Sequence, residues 1–365
     1  MKRSISLLLV IVMLLSLIAC GEQKGDIKVD TEESSTALTE GGSEKEDDPN
    51  AGKDAEVTIK FANNGAADPE HPQNKAMYYF KDLVEEKSGG KVYVEVHIAG
   101  SLGDARTIME GVQLGTIEMG DVENGVMSGF VPEAAIWDLP YLFTSLDHAH
   151  KVLDGEVGQK IAKLYEDLGV KHLAYNDGGF RYFTNNKKPI ASMADLSGLK
   201  MRVMESKVMI ASMEAFGASP VPISFQELYT ALQQGTVDGQ ENPLDLIYAQ
   251  NYAEVQKYLS LSEHFYYPRQ YIINQAFLES LDPEIQKILE ESAVETAQYQ
   301  RDELKKYTGT MLDKLKDQGM EITEFDKTDA IKAAETVYPE FYSVIGGGDE
   351  TAGEEIIRSI MDSRD

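Results

Sequence analysis

Lys91-Val-Tyr-Val-Glu-Val-His-Ile98 sets Val92, Val94, Val96 and Ile98 at every second position, the period of a strand buried on one face. Before it, His71 to Lys87 carries Ala76, Phe80, Leu83 and Val84 at helical spacing and stops at Gly89-Gly90. Val57-Thr-Ile-Lys-Phe61 alternates as a strand. On the other side, Leu102 to Leu114 returns to helical spacing, and Thr116 to Val122 reads as a strand. Strand and helix alternate, which predicts an α/β fold with parallel-rich sheets covered by helices. A second set begins near Val170 and includes a strand around Lys200-Met-Arg-Val203. Asp282-Pro283-Glu284 supplies an N-cap and a proline at the first helical position, opening a helix that the pattern carries to Gln318. About 36 helical residues span about 54 Å, enough to brace two domains.

The N-terminus has another character. Lys2 and Arg3 precede an apolar stretch from Ile5 to Ile18, too short for a membrane span and suited to a secretory leader. It ends in Leu17-Ile18-Ala19-Cys20, which resembles the bacterial lipobox, and Cys20 is the only cysteine. The resemblance implies a diacylated Cys20 at the start of the mature chain, and more than one acyl chain anchors firmly. From Gly21 to Glu56 acidic residues, Ser, Thr and Gly dominate, and little apolar surface is left to drive ordering. This segment reads as a tether reaching about 30–36 Å. The acidic run Glu44 to Asp48 fits a solvated stretch, not a metal site.

The chain carries 62 acidic and 34 basic residues, a net charge of −28. A nucleic-acid partner needs a basic face and is excluded on this balance. An anionic ligand would need locally placed cations, since beyond about 8 Å the global charge is screened. Gly346-Gly347-Gly348 lacks the Lys-Ser or Lys-Thr of a phosphate loop. No nucleophile elbow is present, and no cysteine remains for catalysis. His148 and His150 lie close together without a third ligand nearby, so no metal and no cofactor are expected.

The middle of the chain is the most informative. Asn176-Asp-Gly-Gly-Phe-Arg-Tyr-Phe-Thr-Asn-Asn-Lys-Lys-Pro-Ile190 is followed by Asp195-Leu-Ser-Gly-Leu-Lys-Met-Arg-Val203. Gly217-Ala-Ser-Pro-Val-Pro222, Ala231-Leu-Gln-Gln-Gly-Thr-Val-Asp-Gly-Gln-Glu-Asn-Pro243 and Tyr252-Ala-Glu-Val-Gln-Lys-Tyr-Leu-Ser-Leu261 come next. Together they resemble, in order from about Val57 to Gly319, the solute-binding subunits of tripartite ATP-independent periplasmic (TRAP) transporters. The resemblance implies a two-lobed periplasmic-binding-protein fold with hinge strands and a long domain-spanning helix. It divides the chain into a leader (1–20), an acidic tether (21–56), a first lobe (57–178) and a second lobe (179–267). Residues 268–365 return to the first lobe, with a bracing helix over 283–318 and a C-terminal part shared between lobes.

It also implies a site. Arg202 would pair with the ligand carboxylate, Arg181 would assist, and Asn242 would contact the same end. A guanidinium presents two parallel donors to a carboxylate and stays charged when buried. The alternatives are a strand-end surface cation for Arg202 and a salt bridge with a neighbouring acid for Arg181. By similarity with sialic-acid-binding members, Asn64 and Glu123 face the cleft from the other lobe, and Phe225 packs against the ligand body. Glu123 as an acceptor suits sugar hydroxyls and repels a second carboxylate, unless it is merely a solvent-facing loop acid. At Ala105 the sialate binders have aspartate, and at Glu205 asparagine, which turns the reading from sialate to a hexuronate or aldonate. The implied function is capture of a small organic acid outside the cytoplasm, for the permease subunits of a TRAP transporter, by a chain anchored to the membrane. A C4-dicarboxylate or sialate ligand, a sensor role and an enzyme acting on acidic sugars are the alternatives.

Overall fold

The computed structural model describes residues 52–364. The leader, Cys20 and residues 21–51 of the acidic segment lie outside the described residues. Among the described residues no helix is long and apolar enough to cross a membrane.

The strands are β1 (Val57–Asn63), β2 (Val92–His97), β3 (Met119–Glu123), β4 (Val170–Asn185), β5 (Lys200–Val203), β6 (Ser219–Pro222), β7 (Gly239–Asn242), β8 (Tyr258–Asn274) and β9 (Glu321–Glu324). They form one mixed sheet in the order β2-β1-β3-β8-β4-β7-β5-β6, with β9 also beside β8. The outer strands are parallel, β1 with β2 and β3, and β5 with β6 and β7. At the centre β4 and β8 run antiparallel for 16 and 17 residues, about 50 Å at about 3.3 Å per residue. Arg269 to Ile273 of β8 pairs with β3, whereas Tyr258 to Leu261 pairs with β9. Tyr182 to Asn185 of β4 pairs with β7. The two long strands are thus shared by two sheet halves, which gives the two-lobed α/β fold.

Where the halves meet, the long pair loses regularity. Its register shifts between Asp177 and Phe180 and again between Arg181 and Phe183. Gly179 sits at φ 78° and, on the opposing strand, Glu263 at φ 45°. A side chain on Gly178 would meet Tyr267 Cδ1 at 2.0 Å, so only glycine lets the strands approach here.

Each half buries its own apolar face. Phe61, Val92 and Val94 pack with Phe80 and Val84 of helix Pro72–Lys87 and with Leu289, Ala293 and Ala297 of helix Pro283–Thr308. Phe61 meets Phe80 and Tyr271 edge-on at 5.3 and 5.6 Å. In the other half Leu228, Leu232, Val237, Ile247 and Leu259 form the core. A third cluster containing Trp137, Phe183, Met201 and Val337 joins the two.

Two expected elements differ in extent. The strand read from Thr116 begins at Met119, because Gly115 ends the preceding helix at φ 73° and the N–H groups of Thr116 and Ile117 still bond to Gly111 O. The long helix, read as unbroken to Gln318, stops at Thr308 after 26 residues, about 39 Å. Gly309 weakens the helix there, Thr308 Oγ1 bonds back to Leu304 O at 2.8 Å, and a separate helix, Met311–Asp317, follows. The long helix is fixed to the hinge strand by Gln300, whose amide accepts from Asp177 N at 2.9 Å and donates to Asp177 O at 2.7 Å.

Candidate ligand-binding site

β5 is flanked by parallel neighbours on both sides, with Val221 of β6 and Gln240 of β7 in register with Arg202. That position buries Arg202 to 1% exposure. Its Nε donates to Ile223 O at 2.8 Å, while Nη1 is buried without a hydrogen-bond partner. Among the described residues it forms no ion pair. Burial, then the charge of nearby Arg181, hold its pKa below the ordinary arginine value. A buried guanidinium in this condition is an electrostatic debt that an anion relieves.

Arg181 differs. It is fully buried in β4, its Nε and Nη2 grip the Glu241 carboxylate of β7, with Nη2 to Oε1 at 2.9 Å, and its guanidinium lies over the Tyr267 ring at 4.4 Å. Burial opposes its charge, but Glu241 outweighs burial and raises its pKa. Burial likewise pushes Glu241 upward and Arg181 and His264 pull it net downward. His264, its Nδ1 at 2.8 Å from Ser262 Oγ, has its pKa lowered by burial despite Glu241 and stacks on Phe183 at 3.8 Å. The salt bridge admitted as the alternative for Arg181 is therefore present, though its Nη1 stays unpartnered. Asn242 is buried on β7 and donates to Gln240 Oε1.

Across from Arg202 stands the end of β3. Glu123 is 3% exposed, which excludes a solvent-facing loop acid. Its Oε1 accepts from Asn64 Nδ2 at 3.0 Å and its Oε2 from Arg269 Nη1 at 3.1 Å. Arg269 Nε also donates to Asp121 Oδ1 at 3.1 Å and its Nη2 to Asp121 O at 2.7 Å. Burial works against the Arg269 charge, yet Asp121, Tyr267 and Glu123 together raise its pKa. Burial also raises Asp121, against the pull of Arg269 and Asn176. Glu123 is thus a paired carboxylate, held by Asn64 and Arg269.

Four expected residues, Asn64, Glu123, Arg202 and Phe225, line one cavity of about 20 Å³, together with Ala105 and Glu205. Arg181 and Asn242 are not among its lining residues. The sequence reading missed Arg269, Asp121 and Tyr267, and also the rim. There Arg106 Nη2 meets Glu205 Oε2 at 3.2 Å and Gln226 Nε2 donates to Asn64 O at 3.3 Å, each crossing between the halves. A larger cavity of about 500 Å³ spreads over Gly178, Gly179 and Glu263 and contains none of the six. Among the described residues no group of three His, Cys, Asp or Glu side chains is placed to hold a metal. His150 instead pairs with Asp177 at 2.8 Å, and His148 Nε2 lies 3.1 Å from Ile360 O.

The chain matches the model of the bacterial extracellular solute-binding proteins, family 7, over residues 63–344. It is 38% identical over 256 residues to the 2,3-diketo-L-gulonate-binding periplasmic protein of Escherichia coli (strain K12), covering 70% of this chain and 78% of that one. A TRAP periplasmic solute-binding protein from Polaromonas sp. JS666, bound to D-erythronate, superposes with TM-score 0.79 at 34% identity, over 84% of this chain and 98% of that one. One from Sulfurospirillum deleyianum, with bound succinate, gives TM-score 0.79 at 34% identity, over 85% of this chain and 100% of that one. On fold, cleft and sequence, this chain belongs to the family 7 bacterial extracellular solute-binding proteins, the ligand-capturing components of TRAP transporters.

Proposed function

We propose that this chain captures a hydroxylated organic monoacid, of the hexuronate or aldonate kind, and delivers it to the permease subunits of a TRAP transporter. The observation that carries the reading is Arg202, a buried guanidinium with, among the described residues, a free Nη1 and no carboxylate of its own. The ligand carboxylate takes that place, with Arg181 and Asn242 assisting. Asn64 and Glu123 receive the hydroxyl end, and Phe225 packs on the ligand body. A dicarboxylate would require a second unmatched cation. The arginine at the far end, Arg269, is already matched by Asp121 and Glu123. The bound D-erythronate of the Polaromonas relative supports a monoacid, and the bound succinate of the Sulfurospirillum relative makes the diacid the alternative to test.

A cavity of about 20 Å³ has room for about one water, far less than a six-carbon acid. Ligand access therefore requires the lobes, 57–178 with the return from 268 and 179–267, to part about Gly178, Gly179 and Glu263. Cys20, acylated, holds the mature chain at the outer face of the membrane; the tether read to Glu56 ends sooner, since Glu56 N already bonds to Lys91 O at 2.9 Å. Mass spectrometry of the membrane fraction should find a lipidated Cys20 and no leader; an unmodified cysteine contradicts the anchor.

A thermal-shift panel of aldonates, hexuronates, sialate and C4-dicarboxylates tests the ligand class. At 100 times Kd a true ligand adds about 2.7 kcal/mol of stability. A hydroxylated monoacid should give the largest shift and be recovered unchanged. A panel in which only C4-dicarboxylates shift the melt contradicts the reading, and turnover of the acid contradicts a pure binding role.

A further inference from the structure

We infer that Arg269 is a second carboxylate anchor masked by Glu123, and that this pair sets the preference for one carboxylate over two. The inference rests on the reading of Arg202 as the anchor of the first carboxylate.

Arg269 is 1% exposed and does not line the cavity; Glu123 does. Of this ion pair, Glu123 is thus the member that reaches the cavity. Of the Arg269 donors, Nε and Nη2 are committed to Asp121, and Nη1 to Glu123 Oε2 and to Tyr267 Oη, each at 3.1 Å. Asn64 Nδ2 serves the other Glu123 oxygen at 3.0 Å. Arg269 and Asn64 together therefore form a carboxylate-binding pair, and the protein's own side chain fills it. A carboxylate has about four acceptor positions, so Glu123 still has capacity for ligand hydroxyls. A distal ligand carboxylate meets Glu123 first and is repelled at short range. Shortening Glu123 to alanine removes that carboxylate and leaves Nη1 and Asn64 facing the space it held, while Asp121 still neutralises Arg269. The second carboxylate of a diacid can then occupy the same donors.

Aldonic and aldaric acids of one hexose differ only at the distal carbon, so their affinity ratio reports this end alone. Calorimetry on the full chain, with each hexose configuration, should find the aldonate favoured by wild type. Glu123→Ala should shift the ratio toward the aldarate by about tenfold or more. Glu123→Gln, isosteric and able to fold where alanine does not, should shift it in the same direction by less. Glu123→Ala with Arg269→Met should lose the shift. The melt of Glu123→Ala should be restored more by the aldarate than by the aldonate. A wild type that favours aldarates overturns the inference. So does an unchanged ratio in both Glu123 variants while Arg202→Ala still abolishes binding. Normal binding by Arg202→Ala instead overturns the underlying reading of the anchor.

Discussion

Arg181 and Arg202 are neighbouring buried guanidinium groups of which only Arg181 has a carboxylate, the one on Glu241. The asymmetry leaves Arg202 as the one with an open place for an anion. Arg181 and Glu241 clamp β4 to β7, and the Arg181 guanidinium adds to the burial that already presses on Arg202. A ligand anion relieves that pressure. Binding and stability are therefore linked at this point.

Glu241→Gln should break the clamp and leave Arg181 buried without its counter-ion. Removing one partner of such a pair destabilises by about 3–5 kcal/mol. Chemical denaturation checks this, and saturating ligand acid should recover part of the loss. A change under about 1 kcal/mol would put the pair in the class of surface ion pairs and contradict the account.

Gly178→Ala should destabilise the hinge. The new Cβ would lie 2.0 Å from Tyr267 Cδ1 and 2.7 Å from Tyr267 O, and the backbone carbonyl cannot step aside as a flexible side chain can. Overpacking of this kind costs about 1–3 kcal/mol. Gly179→Ala meets no neighbouring atom but is strained at φ 78°. Thermal melts of both variants test the assignment, and an unchanged melt for Gly178→Ala contradicts the close approach.

These hinge features show where the sequence was readable and where it was not. The alternation of Val92 and Val94 and the spacing of Ala76, Phe80 and Val84 reflect contacts within one sheet half, so local periodicity revealed them. The antiparallel β4–β8 pair was hidden, because these strands are buried along most of their length and do not alternate cleanly. Arg202, Asn64, Glu123 and Phe225 were named through resemblance, and they line one cavity. Arg269 was not. Its partners Asp121 and Glu123 lie 148 and 146 residues away, and Tyr266-Tyr-Pro-Arg-Gln270 carries no spacing that announces a site. The break after Thr308 was missed because an isolated glycine inside a helical pattern is tolerated and does not by itself mark an end.

Asp138 gives a pH signature. Burial raises its pKa to about 6, although Asn124, Ser206 and Ser128 all donate to it. Since the folded value lies above the unfolded one, the folded state binds more protons between about pH 4 and pH 6. This group's contribution is thus present below that window and lost as pH rises through it, by at most about 1.4 kcal/mol per unit. Asp138→Asn imitates the protonated acid. The stability of wild type minus variant should fall from pH 4 to pH 6 and level off above. A difference that stays flat, or rises, contradicts the assignment.

Closure should be visible in solution. Small-angle scattering should give a smaller radius of gyration with saturating ligand than without it. An unchanged radius alongside confirmed binding counts against hinge motion.

The central claim is that Arg202 is the carboxylate anchor, and isothermal titration of Arg202→Ala and Arg202→Lys with the acid that wild type binds best tests it most directly. Loss of a buried charge partner costs about 2–5 kcal/mol, which is about 30-fold to several-thousand-fold in affinity. Arg202→Lys should bind poorly as well, because a point charge cannot reproduce the two parallel donors. Affinity within about twofold of wild type in Arg202→Ala would place the anchor elsewhere.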